Sequence, residues 1–224
     1  MSWLAYFAVF AAFFLTHSIP TRPRVRRVLV RWFGQRGFTI AYSCLSLAML
    51  SAVITAAARA PFVPLWDQAS WHYPALQMGM FAVCLILAFS LGRTNPFSFG
   101  GAGNENFDPE RPGIVRWVRH PILLALGLWA ALHLLPNGDL AHVFLFGVFA
   151  GFAFLGTRLI DRRKQREMTI AHWQETQAAF KALPVSRFGL MKRDVAIRLC
   201  AAILIYFALL GFHSHVIGIS VAPM

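Results

Sequence analysis

The sequence holds eight histidines, and four of them fall where chemistry is expected. His17 lies near the end of the first apolar run, His120 opens the fourth, His133 lies near the end of the fourth, and His142 sits near the start of the fifth. A neutral imidazole suits an apolar interior and ligates iron or zinc readily. An ionisable side chain kept at membrane depth is costly, which makes it a functional candidate. The competing reading of each is a hydrogen-bonded residue that packs helices together. His72, His213 and His215 fall at the edges of apolar runs and His172 in a charged segment, where histidine is ordinary. No H-x-x-x-H or H-E-x-x-H spacing occurs, so no single helix offers a metal clip. A metal site in this chain needs ligands from two or more helices, and haem held between histidines is the usual form of such a site in a membrane. Cys44, Cys84 and Cys200 all stand inside apolar runs and form no C-x-x-C pair, so neither a disulfide nor a zinc site is implied.

The elements that must position these histidines are apolar. Of 224 residues, 58% are hydrophobic and only 13% charged. A typical soluble protein has about 45–50% and about 25% respectively. Mean hydropathy is +0.57. These values exclude a disordered chain, a coiled coil, a collagen and a disulfide scaffold, and they point to an integral membrane protein. Six apolar runs are legible, at 3–20, 38–60, 73–91, 122–135, 140–160 and 195–219. Most reach the roughly 20 residues that cross about 30 Å of hydrocarbon. The fourth is short, and the expectation is that it starts earlier, near Val115, with Arg116 and Arg119 snorkelling to the headgroups. The first run lacks a positive segment before it and a cleavage pattern after it, so it reads as a retained helix rather than a signal peptide.

Charge sets the orientation. Lys and Arg number 21 against 9 Asp and Glu. In a soluble chain that excess would suggest nucleic acid; here no basic segment is attached to a soluble domain, and no nucleic-acid partner is expected. Six basic residues lie between runs one and two, four between three and four, and ten around the connection between five and six; only Arg59 lies on the other side. This is the positive-inside pattern of six spans with both termini outside. The sequence therefore predicts an all-α, polytopic helical bundle, one transmembrane domain over 1–224.

The connections differ in kind. Pro136-Asn137-Gly138-Asp139 reads as a tight turn between antiparallel helices. Arg93 to Gly113 contains Gly100-Gly101-Ala102-Gly103 but lacks the ending of a phosphate loop and follows no strand, so it reads as a flexible linker. Arg22 to Phe33 (RPRVRRVLVRWF) is basic and apolar by turns. It suits either the inner headgroup layer or simple anchoring.

Three segments together carry a family resemblance: Thr16-His17-Ser18, Arg119-His120-Pro121, and Trp129 to Asp139 (WAALHLLPNGD), with Asp161-Arg162-Arg163-Lys164 after the fifth run. The chain resembles, from about Ala5 to Arg198, the NnrU family of bacterial membrane proteins, linked to nitrite and nitric oxide reduction and itself similar to 15-cis-zeta-carotene isomerase. The resemblance implies haem b as cofactor. It makes His17 and His133 the axial ligand candidates and His120 a further histidine of the cofactor site. In the isomerase branch, reduction frees a coordination position and the iron then assists isomerisation of a lipid-soluble polyene. A cysteine that follows the tryptophan in that branch is replaced here by Ala130, which removes a thiol-exchange route and favours the NnrU branch. From the helical rise, His17 should lie ~10 Å inside the midplane and His133 ~7 Å outside it, while two axial nitrogens sit about 4 Å apart. Depth alone matches His17 with His120 and His133 with His142, so the ligand pair stays open at this point.

Two other functions fit parts of the pattern. Small membrane methyltransferases of the isoprenylcysteine or phospholipid type also open a late helix with R-H-P, but they carry paired glutamates where this chain has Asp161-Arg162-Arg163-Lys164. A non-enzymatic assembly factor for respiratory reductases would need no substrate pocket. The expected surroundings are the lipid bilayer and a lipid-soluble small molecule.

Overall fold

The computed structural model describes residues 1–99, 103–182, 184 and 189–218. Gly100, Gly101 and Ala102 of the glycine-rich stretch lie outside the described residues. Among those described there are seven α-helices, two short 3₁₀ turns and no strand. The helices are α1 (Trp3–Ser18), α2 (Pro23–Arg59), α3 (His72–Ser90), α4 (Pro121–Leu134), α5 (Leu140–Met168), α6 (Ile170–Lys181) and α7 (Lys192–Ile217). Four of them, α2, α3, α5 and α7, are long and apolar enough to cross a membrane. The other two apolar helices are shorter than the six-span reading requires. α1 has 16 residues and α4 has 14, or about 24 and 21 Å against a ~30 Å core. Many large apolar side chains point outward, among them Leu4 at 82% exposure and Met78 at 76%. α7 buries only Ala202. That is the surface of a helix meant for lipid rather than water.

The chain divides into two compact units, Met1–Asp67 with Gly138–Leu145, and Gln68–Asn137 with Phe146–Met224. In the first, α1 packs on α2. The buried Tyr6 hydroxyl donates to the Ala141 carbonyl at 2.8 Å, and Phe144 packs edge-on against Phe7 and Phe10. The backbone of 63–66 meets the turn before α5: Leu65 N and Trp66 N both donate to the Gly138 carbonyl, and Leu140 N donates to Val63. A Cβ at Gly138 would collide with the Trp66 carbonyl oxygen.

In the second unit, α3 packs on α4 and on α7. Small residues bring the helices close. A Cβ on Gly79 would strike Leu132, and one on Gly127 would strike Phe154, so α4 is wedged between α3 and α5. Arg198 at the start of α7 donates to the Ala88 and Leu91 carbonyls at the end of α3.

Several element boundaries depart from expectation. α4 does not begin near Val115. Gly113–Arg116 forms a 3₁₀ turn, Gly113 has φ 59°, and His120 is non-helical (φ −118°, ψ 66°) before Pro121, which opens the helix at its first position. The segment before α4 is not a free linker either. Phe97, Val115 and Trp173 form a buried cluster with Phe107 and Met168 against it, and Phe97 meets Trp173 edge-on at 4.9 Å. α5 runs on through the charged stretch, where Arg163 and Lys164 both bond Glu167. It stops at Thr169, whose φ of 66° cannot continue a helix. α6 was not expected. α2 begins at Pro23, well before its apolar run, and breaks at Gly34, where φ is 69° and ψ 168°.

That backbone region is open almost only to glycine. Nothing lies within 4 Å of a Cβ built on Gly34, so the cost of a side chain there is conformational. Gly34→Ala should destabilise the protein by about 1–3 kcal/mol. Gly147→Ala, on regular helix with equal space, should be neutral or stabilising by under about 1 kcal/mol. Thermal unfolding of the two variants in detergent checks the contrast.

Candidate functional site

The histidines separate by how completely their ring nitrogens are engaged. His120 sits ahead of α4 and is buried. Its Nδ1 lies 3.0 Å from the Ser98 hydroxyl and its Nε2 2.8 Å from Asp161 Oδ1 on α5. The second oxygen of Asp161 takes Arg119, whose guanidinium lies over the Trp173 ring at 5.6 Å. Burial pushes the His120 imidazole below the ordinary histidine range, against the upward pull of the Asp161 bond and charge. Both ring nitrogens are thus engaged, Nδ1 with the Ser98 hydroxyl and Nε2 with the Asp161 carboxylate, and Arg119 Nε also lies 3.4 Å from Nε2. Asn95, also buried, completes the network. Its amide donates to the Arg119 carbonyl at 3.0 Å, and its carbonyl oxygen accepts from Phe97 N. Ser98 and Asn95 were not among the residues expected from sequence, and Asp161 was read only as part of the Asp161-Arg162-Arg163-Lys164 run, not as a partner of His120. Asp161 is 41 positions from His120, and no spacing rule connects them; the only signal was an acid at the end of an apolar run opposite R-H-P.

His133 is different. It lies in the last turn of α4, 13 residues beyond His120, or about 20 Å along the axis, so these two cannot serve one iron. Its Nδ1 donates to the Trp129 carbonyl of the preceding turn at 2.7 Å. Its Nε2 has no hydrogen bond among the described residues. The Trp129 and Phe146 rings flank it, with centroids at 5.2 and 5.1 Å. Asn137, three residues past the helix, donates to the His133 carbonyl at 2.7 Å and caps that end. Ala130, where a thiol would stand in the isomerase branch, is fully buried.

His17, in the first unit, repeats the pattern near the end of α1. Its Nδ1 is 3.4 Å from Ser46 Oγ, its carbonyl accepts from the Tyr42 hydroxyl at 2.9 Å, and its ring stacks on Phe13 and tilts against Tyr42. No hydrogen bond engages its Nε2 among the described residues. His142 Nδ1 bonds Asp139 at 2.6 Å, and Asp139 also accepts from His142 N, so Asp139 caps the start of α5. Among the described residues no group of three or more His, Cys, Asp or Glu is placed to hold a metal ion by itself.

The chain matches the family model described as NnrU protein over residues 6–221, and it belongs to the NnrU family. No curated protein and no solved structure matches it.

The His120 network should behave as one unit. Ser98→Ala and Asp161→Asn each remove one of its partners and should each cost about 1–3 kcal/mol. The double variant should cost less than their sum, because both act through the same ring. Denaturant titration of the four proteins measures the cycle.

Proposed function

We propose that this NnrU-family chain is an integral membrane haem b protein, with His17 and His133 as its axial ligand candidates. Its role is in nitrite and nitric oxide reduction or in redox-controlled isomerisation of a lipid-soluble polyene. The observation that carries the reading is the hydrogen bond from His133 Nδ1 to the Trp129 carbonyl. A histidine that donates one ring N–H to a backbone carbonyl has its tautomer fixed and its other nitrogen left as a lone pair, which is how metal-ligating histidines are ordinarily held. His17 also has its Nδ1 toward a partner, the Ser46 hydroxyl at 3.4 Å, with its Nε2 unengaged among the described residues. A porphyrin brings four nitrogens of its own and asks one or two imidazoles of the protein, so isolated histidines fit it better than they fit a bare ion. The aromatic rings beside both histidines suit a flat apolar macrocycle. When bound, the haem would supply a one-electron centre at membrane depth.

His120 takes a different part in this reading. Both its nitrogens are engaged, so it braces the chain ahead of α4 rather than reaching for iron. Asp161 is likewise committed, to His120 and Arg119, which favours the haem reading over S-adenosylmethionine binding at that place.

Six spans in a bacterial inner membrane belong to the same proposal, and hydrogen bonds within each unit support the alternation. In the first unit the start of α1, the 63–66 segment and the start of α5 meet. In the second unit the end of α3, the start of α4, the later part of α5 and the start of α7 meet. Helices rather than a barrel suit the inner membrane.

Detergent-purified protein should show a Soret band that moves on dithionite reduction. His17→Ala and His133→Ala should each lower haem per protein several-fold, and His172→Ala should leave it at the wild-type level. His133→Met should keep some haem but displace the band. A colourless protein, or equal haem in all three alanine variants, overturns the assignment.

A further inference from the structure

We propose that the first part of α2, from Pro23 to Phe33, is a surface helix that binds phospholipids with anionic headgroups. Its sequence, PRVRRVLVRWF, contains no acid. On a helix, Arg24, Arg27 and Arg31 stand at i, i+3 and i+7 and form one stripe. Val25, Val28, Leu29 and Trp32 form the face beside it. Arg24, Arg27 and Arg31 are exposed, and no acidic side chain pairs with any of them among the described residues. Trp32 and Phe33 are exposed as well, at 72% and 59%.

The break at Gly34 gives this pattern its place. Residues 35–59 alone span about 37 Å of helix, enough to cross the hydrocarbon. A straight α2 of 37 residues would measure about 55 Å and drive the arginines some 20 Å beyond it. Gly34 re-aims the chain instead. Arg26 braces the bend from the other side: its guanidinium donates to Gln35 Oε1 at 3.1 Å and lies over the Phe38 ring at 5.4 Å. The arginines therefore divide in role, with Arg26 holding the angle and Arg24, Arg27 and Arg31 facing outward.

A cationic stripe beside an apolar face that includes an exposed tryptophan is the arrangement that settles at a lipid headgroup layer. The arginines then lie well within a Debye length, about 8 Å, of the phosphates. A docking protein would need acidic residues to match the stripe but no apolar depth. The adjoining Val25, Leu29 and Trp32 favour a lipid surface.

The test uses the full chain in detergent micelles holding equal amounts of phosphatidylglycerol and phosphatidylcholine, with retained lipids counted by native mass spectrometry. Wild type should retain phosphatidylglycerol several-fold over phosphatidylcholine. The triple variant Arg24→Gln, Arg27→Gln, Arg31→Gln should bring that ratio close to one. Arg162→Gln, Arg163→Gln, Arg166→Gln, an equal loss of charge elsewhere, should keep the wild-type ratio. No preference in wild type, or equal loss in both triple variants, overturns the proposal. A second measurement leaves the arginines intact. In vesicles with brominated acyl chains, Trp32→Phe should remove a quenched component of the fluorescence. If that component is insensitive to the bromines, the helix does not lie in lipid and the stripe belongs to a protein partner.

Discussion

Hydrocarbon offers no hydrogen bonds, so each polar atom on these helices must be met from within the chain. The hydroxyls obey this simply. Thr16, Ser18, Thr39 and Thr157 each return their hydroxyl to a carbonyl of the preceding turn. Against that background a half-engaged imidazole stands out. His17 and His133 are half-buried, and each keeps one ring nitrogen without a hydrogen bond among the described residues. Such a nitrogen is open to a ligand, which is why an incomplete ring is a better guide to a cofactor than a complete one.

His133 shows how closely its surroundings fix it. Its ring is held by Trp129, one turn back, and its carbonyl by Asn137, one turn on. The Asn-Gly-Asp run beyond it serves the backbone. Asn137 closes α4, Gly138 fits where only a hydrogen fits against Trp66, and Asp139 caps α5. Likewise Arg-His-Pro builds a polar junction: Arg119 and His120 meet Asp161, and Pro121 starts the helix. The segments that carry the family resemblance are largely devices for starting and stopping helices, and His17 and His133 lie within them.

The sequence was most legible where hydropathy changes abruptly. α3, α4 and α7 begin and end close to where their apolar runs do, because polar or Gly and Pro residues stop the run and the helix together. The rest depends on contacts that hydropathy does not record. The charged end of α5 is helical through ion pairs with Glu167. α6 sits in a charged stretch, and its Trp173 is buried only because Phe97 and Val115 come from far along the chain to cover it. Ser98, and the pairing of Asp161 with His120, were missed for the same reason: no local pattern states that two residues on either side of His120 will share its ring. His17 and His133 stand out as candidates because an imidazole in an apolar run is conspicuous, whereas their hydrogen-bond state was not legible.

The basic excess, counted as one quantity in the positive-inside argument, resolves into several kinds of contact. Arg119 neutralises a carboxylate and stacks on an indole. Arg198 satisfies carbonyls at the end of α3, where a cation also meets the negative end of the helix dipole. Arg26 holds a bend. A formal charge of +12 thus contains arginines fixed by the fold and arginines left over from it. Arg24, Arg27 and Arg31 meet no acid among the described residues, so their counter-charge comes from outside the chain. Orientation in the membrane and attraction to the leaflet are then two consequences of the same unmatched cations.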